Sequence, residues 1–381
     1  MRRAVALGVA AVAAALLVAT PAAARNRWDA QVLALVPRPG FPAMAYVAPT
    51  GLIYEGTYDN PAGDTSPSRV LEYDGDGTLL RSWTVTGQDL SQAHGVQVAT
   101  SDPSGRLVLL DKSPPRALLL DPRTGDQTTL ASFPSGSVPN YAAWGPAGVL
   151  YVTDYAKPTI WRLPPGGGPP QPWLTDPRLD GGPFGTTGIA LEADHSTLLV
   201  GQQSEAGLAA GNPATGRLFT VKIGSDGKPG PLNQLWESGP GEGPDGFAIA
   251  RSGTVYVALL AANAIAVVGP DGTQRERFPV APGGANGSSV PFDSPSSVRF
   301  LGTRLIVANQ SYFTGDATHQ AILDVESGEP GLPELIPQPP QGSATPISSR
   351  HHRSKRHKPK HRHKRRKQRH GKRRWALDAR R

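Results

Sequence analysis

One pattern governs what this chain can become: a unit of four short strands that returns six times between residues 41 and 331. Its clearest copy is GPDGFAIARSGTVYVALLAANAIAVVGPDGT (243–273). There an apolar run turns at Ser252-Gly253, a β-branched and aromatic run turns at Ala262-Asn263, and a third run closes at Pro270-Asp271-Gly272. Gly, Asn and Asp supply the unusual dihedrals that reverse a strand, so runs of this length between such residues predict hairpins. The opening runs are FPAMAYV (41–47), AHGVQVA (93–99), PNYAAWG (139–145), TTGIALE (186–192), PDGFAIA (244–250) and SPSSVRF (294–300). With Ala43, His94, Asn140, Thr187, Asp245 and Ser296 as matching points, the spacings are 51, 46, 47, 58 and 51 residues. Four strands in a period of this size, with no amphipathic helix between them, predict an all-β, six-bladed β-propeller; a β-sandwich or two small barrels is the competing architecture. A blade cannot bury both of its faces alone, and packing blades around an axis gives each face a partner. Ring closure needs a strand from the far end of the chain. The run 31–36 is expected to be the outer strand of the sixth blade, with 333–337 as its competitor.

The flanks have other compositions. Arg2-Arg3, an apolar run of small residues over 4–19 and Ala22-Ala23-Ala24 read as a cleaved export signal over 1–24 rather than a membrane anchor. The mature protein is therefore expected to be secreted, or to lie in the periplasm or cell envelope. The propeller is assigned to 25–337, a Pro/Gly/Ser linker to 338–349, and a disordered Arg/Lys/His-rich tail to 350–381. That tail holds 17 of the 39 Lys and Arg residues, so the formal net charge of +8 describes the tail and not the body. Between the leader and the tail, 20 basic residues face 30 acidic ones. There is no cysteine, which excludes disulfides, thiol catalysis and thiolate metal sites. The string GEGPDG (241–246) matches G-x-G-x-x-G but leads into a strand, so no helix N-terminus receives a pyrophosphate.

In a propeller the innermost strands line a central channel, and their first residues face one mouth of it. The repeat would thereby gather His94, Asn140, Thr187 and Asp245, distant in sequence, at one place. His, Asn and Asp are groups that coordinate a hard cation or move a proton. Asp before Gly also caps turns, and a buried His is often held by structural hydrogen bonds, so Asp245 and His94 each have a structural reading beside the functional one.

The segments PDGFAIARSGTVYVA (244–258), PNYAAWGPAGVLYVTD (139–154) with IWRL (160–163), and SYFTGDATHQAILDVESGEPG (311–331) resemble the SMP-30/gluconolactonase/LRE-like six-bladed propellers, a group similar to paraoxonase and strictosidine synthase. The resemblance covers roughly residues 41–331. It implies a metal-dependent hydrolase of small lactones or esters, with one divalent cation, Ca²⁺ or Zn²⁺, in the channel. Asp245 matches the family's Asp ligand and Asn140 an Asn near the substrate; Asp245 with Asn140, joined by Thr187, would hold the cation, and His94 would act as base. The sequence departs from the pattern at Ala43 and Thr187, which stand where the family has a Glu and an Asn ligand. Glu55, on a second strand, is expected further from the axis. A non-catalytic ligand- or protein-binding propeller is the reading of another class. Either way the partner is a small molecule in the central channel, and the chain is expected to be a monomer. The tail segment 350–374 is expected to meet anionic envelope polymers or lipid headgroups. With almost no aromatic interleaving, it is not expected to recognise a specific nucleic acid.

Overall fold

Each run bounded by turn residues forms a strand, and the strands associate four at a time in chain order. The computed structural model describes residues 25–182, 184–205, 214–281 and 283–338; the export signal, most of the linker and the basic tail lie outside these. Blade one is Phe41–Val47, Ile53–Tyr58, Arg69–Tyr73 and Leu79–Thr84. Blades two to five repeat the same antiparallel meander, opening on Val96–Ser101, Pro139–Trp144, Thr186–Leu191 and Pro244–Ile249. Every opening strand touches the opening strand of the next blade, and that of blade six touches blade one, so the six sheets close a ring. The protein is an all-β, six-bladed propeller. Packing of each blade between its neighbours explains the burial: inner strands are almost wholly buried on both faces, whereas an outer strand such as Leu79–Thr84 is mostly exposed.

Ring closure follows the sequence expectation. Blade six takes Pro295–Leu301, Arg304–Asn309 and Ala321–Glu326 from the end of the chain, and Ala30–Leu35 from its beginning as the outer strand. The residues 333–337 instead run on from a bridge between Ala250 and Gly331. One buried carboxylate fastens the closure. Asp324 accepts from Arg25 at 2.7 Å, from Arg304 at 2.8 Å and from Gln31 at 3.1 Å. Replacing Asp324 by alanine leaves two guanidinium groups facing each other without their shared anion. Because both are partly hydrated, the expected cost is about 2 kcal/mol, read as a lower urea midpoint at unchanged m-value.

The inner ring carries a second regularity. Each opening strand pairs with its second strand through a register shift, near the start of the strand in five blades and between Val98 and Thr100 in blade two. A bulge leaves backbone groups without ladder partners, and side chains from the second strand take them up. The Tyr141 amide donates to Thr153 Oγ1 at 3.0 Å, and the Ala43 amide to Glu55 Oε1 at 2.7 Å. Hydroxyls then stitch blade to blade: Thr153 donates to the Thr187 carbonyl at 2.7 Å, Thr187 to the Asp245 carbonyl at 3.1 Å, and Ser296 to the Ala43 carbonyl at 2.7 Å.

Candidate functional site

Ladder register defines which residues are equivalent around the channel. Pro139 pairs with Asp154, and the matching pairs are Pro42 with Thr57, Val96 with Asp111, Thr186 with Gln202, Pro244 with Leu259 and Pro295 with Asn309. The next residue in each blade is Ala43, Gln97, Asn140, Thr187, Asp245 and Ser296. Five of the six sequence matches share this position; in blade two the ladder puts Gln97 there, three residues beyond His94. His94 is fully buried before the strand begins, its Nδ1 2.9 Å from the Gln92 carbonyl and its Nε2 3.1 Å from the Ser66 carbonyl. Its ring ties the loop 59–66 to blade two and does not line the channel mouth. Asp111, which falls opposite Val96 as Asp154 falls opposite Pro139, was the sequence signal for the right register.

At the mouth where the opening strands start lies a pocket of about 330 Å³. Asp245 and Asn140 line it together, with the amides Gln97, Gln203 and Gln310 and the aromatic rings of Tyr58, Tyr155 and Tyr312. Lys112 also lines it but is paired to Asp59 at 2.5 Å, with its ammonium 5.1 Å from the centre of the Tyr58 ring. Thr187 is fully buried behind this surface, its hydroxyl spent on the Asp245 backbone. Burial pushes the Asp245 carboxyl up to about 8, opposed by a 3.5 Å contact with the Tyr141 hydroxyl. It is therefore largely neutral at pH 7.

Behind Asp245, out of the pocket lining itself, lies the fully buried Tyr141. Its hydroxyl reaches across the axis and donates to the Ser296 carbonyl of the opposite blade at 2.9 Å. Asn140 before it lines the polar mouth, whereas Ala142 after it lines a second pocket of about 440 Å³ at the other end. The Tyr141 side chain thus stands between two mouths of one channel. The reach explains the glycine of the PDG string: a Cβ on Gly246 would lie 2.4 Å from the Tyr141 oxygen. Glu55, on the second strand, lines neither pocket. It is fully buried, and burial pushes its carboxyl up to about 8 against hydrogen bonds from the Ala43 and Met44 amides; Oε2 has no partner.

This donor set does not fit the divalent cation that the resemblance implies. Ca²⁺ takes six to eight oxygens and Zn²⁺ four ligands rich in nitrogen or charge. Here Asp245 is the sole unpaired carboxyl lining the pocket, Ala43 offers no side-chain oxygen, and the Thr187 hydroxyl is committed elsewhere. Among the described residues no three His, Cys, Asp or Glu side chains converge to hold a metal ion.

No protein-family model matches the chain, and no curated protein matches it in sequence. Solved structures do match in fold. A calcium-binding regucalcin from Agrobacterium tumefaciens shares 16% identity over 81% of this chain and 98% of its own, with a TM-score of 0.55. A putative gluconolactonase shares 16% over 80% and 94%, with a TM-score of 0.54. Virginiamycin B lyase from Staphylococcus aureus shares 14% over 78% and 99%, with a TM-score of 0.53. The fold is therefore the one used by regucalcin- and gluconolactonase-type six-bladed propellers. That a lyase shares it means the chemistry must be argued from the site.

Proposed function

We propose that the polar mouth binds a small, neutral, polyhydroxylated molecule of the sugar-lactone class, and that Asp245 serves as general base in its hydrolysis. The observation that carries this reading is a buried carboxyl, unpaired with any basic side chain, facing a pocket rich in amides and phenols whose one ammonium, Lys112, is held by Asp59. Amide groups both donate to and accept from hydroxyls, and aromatic faces cover the apolar side of a sugar ring. The pocket volume falls at the lower end of small-molecule sites. In the reaction the Asp245 carboxylate takes a proton from water as the water oxygen adds to the lactone carbonyl. The tetrahedral adduct then collapses, the ring C–O bond breaks, and the Asp245 acid returns the proton to the leaving ring oxygen, giving the open hydroxy acid. Only the carboxylate form starts this cycle, so the rate rises with pH through about 8.

A panel of five- and six-membered aldonolactones, followed by acid release above the buffer rate, tests the reading. Asp245→Asn is expected to lower kcat roughly 100-fold or more while sugar-lactone binding by calorimetry survives. Wild-type turnover at the buffer rate would sink the hydrolysis. A second reading, binding without turnover, is favoured by one contact: the Tyr141 hydroxyl nearest Asp245 is already committed to Ser296, which leaves the oxyanion without that donor. Saturable calorimetric binding with no acid release would select it.

A further inference from the structure

The other mouth of the channel is chemically the opposite of the first. Its pocket of about 440 Å³ is walled by the far ends of the opening strands, among them Val47, Trp144, Ile189, Phe247 and Phe300. Residues 330–335 cross one side of it, pinned where the Leu332 amide donates to the Ile249 carbonyl at 2.8 Å and the Arg251 amide to the Pro330 carbonyl at 3.0 Å. Into this apolar space comes a cation. Arg299 reaches the pocket over the Tyr141 ring, its guanidinium carbon 5.7 Å from the ring centre. Nη1 donates to the carbonyls of Phe247 at 2.9 Å and Val298 at 3.2 Å, and Nη2 lies 3.7 Å from the Met44 sulfur. Among the described residues these partners are two backbone carbonyls and a thioether, not a carboxylate.

A guanidinium has five donors in a planar fork suited to a carboxylate, and one held among apolar side chains without an anion is under-compensated. The pocket lining offers Arg299 and Arg251 against a single acid, Glu334 on the crossing segment. Glu334 is no fixed counterion. Its side chain is exposed and makes no ion pair with Arg299 within 4 Å.

We propose that this apolar mouth is a second binding site, separate from the Asp245 pocket, for a monocarboxylate with an apolar body, the carboxylate received by Arg299. The aliphatic and aromatic walls take the body and the guanidinium fork takes the head. Tyr141 keeps such a ligand out of the polar mouth, so the two sites are occupied independently.

Calorimetry with octanoate tests the site, with 1-octanol and octylammonium as the neutral and cationic counterparts. Octanoate is expected to bind one-to-one and more tightly than octanol, and octylammonium not to bind. Arg299→Met is expected to weaken octanoate roughly 10- to 100-fold, the worth of a charge-assisted hydrogen bond, while octanol binding is kept. Arg299→Lys, which keeps the charge and loses the fork, is expected to bind octanoate between wild type and Arg299→Met. Since Arg299 also holds the Phe247 carbonyl, Ala190→Phe provides a variant that fills the pocket and leaves the guanidinium in place; it is expected to abolish octanoate binding. No octanoate binding to the folded wild type, or binding unaltered in both Arg299→Met and Ala190→Phe, overturns the proposal. Sugar-lactone binding at the other mouth is expected to be unmoved by Ala190→Phe, so the two sites fail or stand separately.

Discussion

Replacing Tyr141 by alanine is expected to lower the unfolding free energy by about 4 kcal/mol and to join the two pockets into one open channel. The side chain is fully buried, and its removal adds a cavity term to the lost transfer free energy, which places large aromatic-to-alanine changes at about 3–5 kcal/mol. The hydroxyl adds to this, because the Ser296 carbonyl loses its Tyr141 donor. Tyr141→Phe separates the two contributions. It keeps the plug and loses only the hydrogen bond, so about 1–2 kcal/mol is expected, with the channel still shut. Chemical denaturation of both variants measures the energies. Their crystal structures, or competition between octanoate and a sugar lactone, read the opening: the two ligands are independent in wild type and Tyr141→Phe and exclude each other in Tyr141→Ala. An alanine variant as stable as wild type would mean that Tyr141 is not the plug.

The architecture was legible in the sequence because each blade is a local object. Four runs and their turns are written within some fifty residues, and turn chemistry at positions such as Ser252-Gly253 and Pro270-Asp271-Gly272 sets where strands begin. The closing strand was legible too, since an apolar run before the first unit had one vacant place to go. The site was legible only as far as register allowed. Asp245 and Asn140 came together because their blades open on the same Pro-Asx step, PDG and PNY. Blade two opens without that step, and His94 looked more like chemistry than Gln97 did; only the ladder from Val96 to Asp111 assigns the place. What the sequence did not show for Glu55 is its partner: the bulge in blade one frees the Ala43 amide from the ladder, and the Glu55 carboxyl accepts from it. Tyr141 was not singled out at all, because a tyrosine inside an apolar strand looks like ordinary core until the opposite blade is in place.

Glu55 and Asp245 together make stability fall with pH while the proposed activity rises. Both carboxyls are pushed up to about 8 by burial, so the folded chain holds two protons that the unfolded chain releases near pH 4. Wherever the folded state binds more protons, the unfolding free energy decreases as pH increases. The contribution is complete below about pH 4, declines through the neutral range, and is gone above about pH 8. Each tenfold gain in proton affinity on folding is worth about 1.4 kcal/mol, so the two groups account for a loss of several kcal/mol between pH 5 and pH 9. Urea midpoints across that range measure it. Glu55→Gln removes one buried ionisation and keeps an oxygen acceptor for the Ala43 amide, so it is expected to remove its own share of the slope and leave the pH–rate profile untouched. Asp245→Asn is expected to remove its share of the slope and the turnover as well. The pair therefore assigns roles that the shared chemistry of two buried acids conceals: a stability slope unaltered by Glu55→Gln would mean that its proton is not held, and a rate profile moved by Glu55→Gln would place that carboxyl in the reaction and take the sole base role from Asp245.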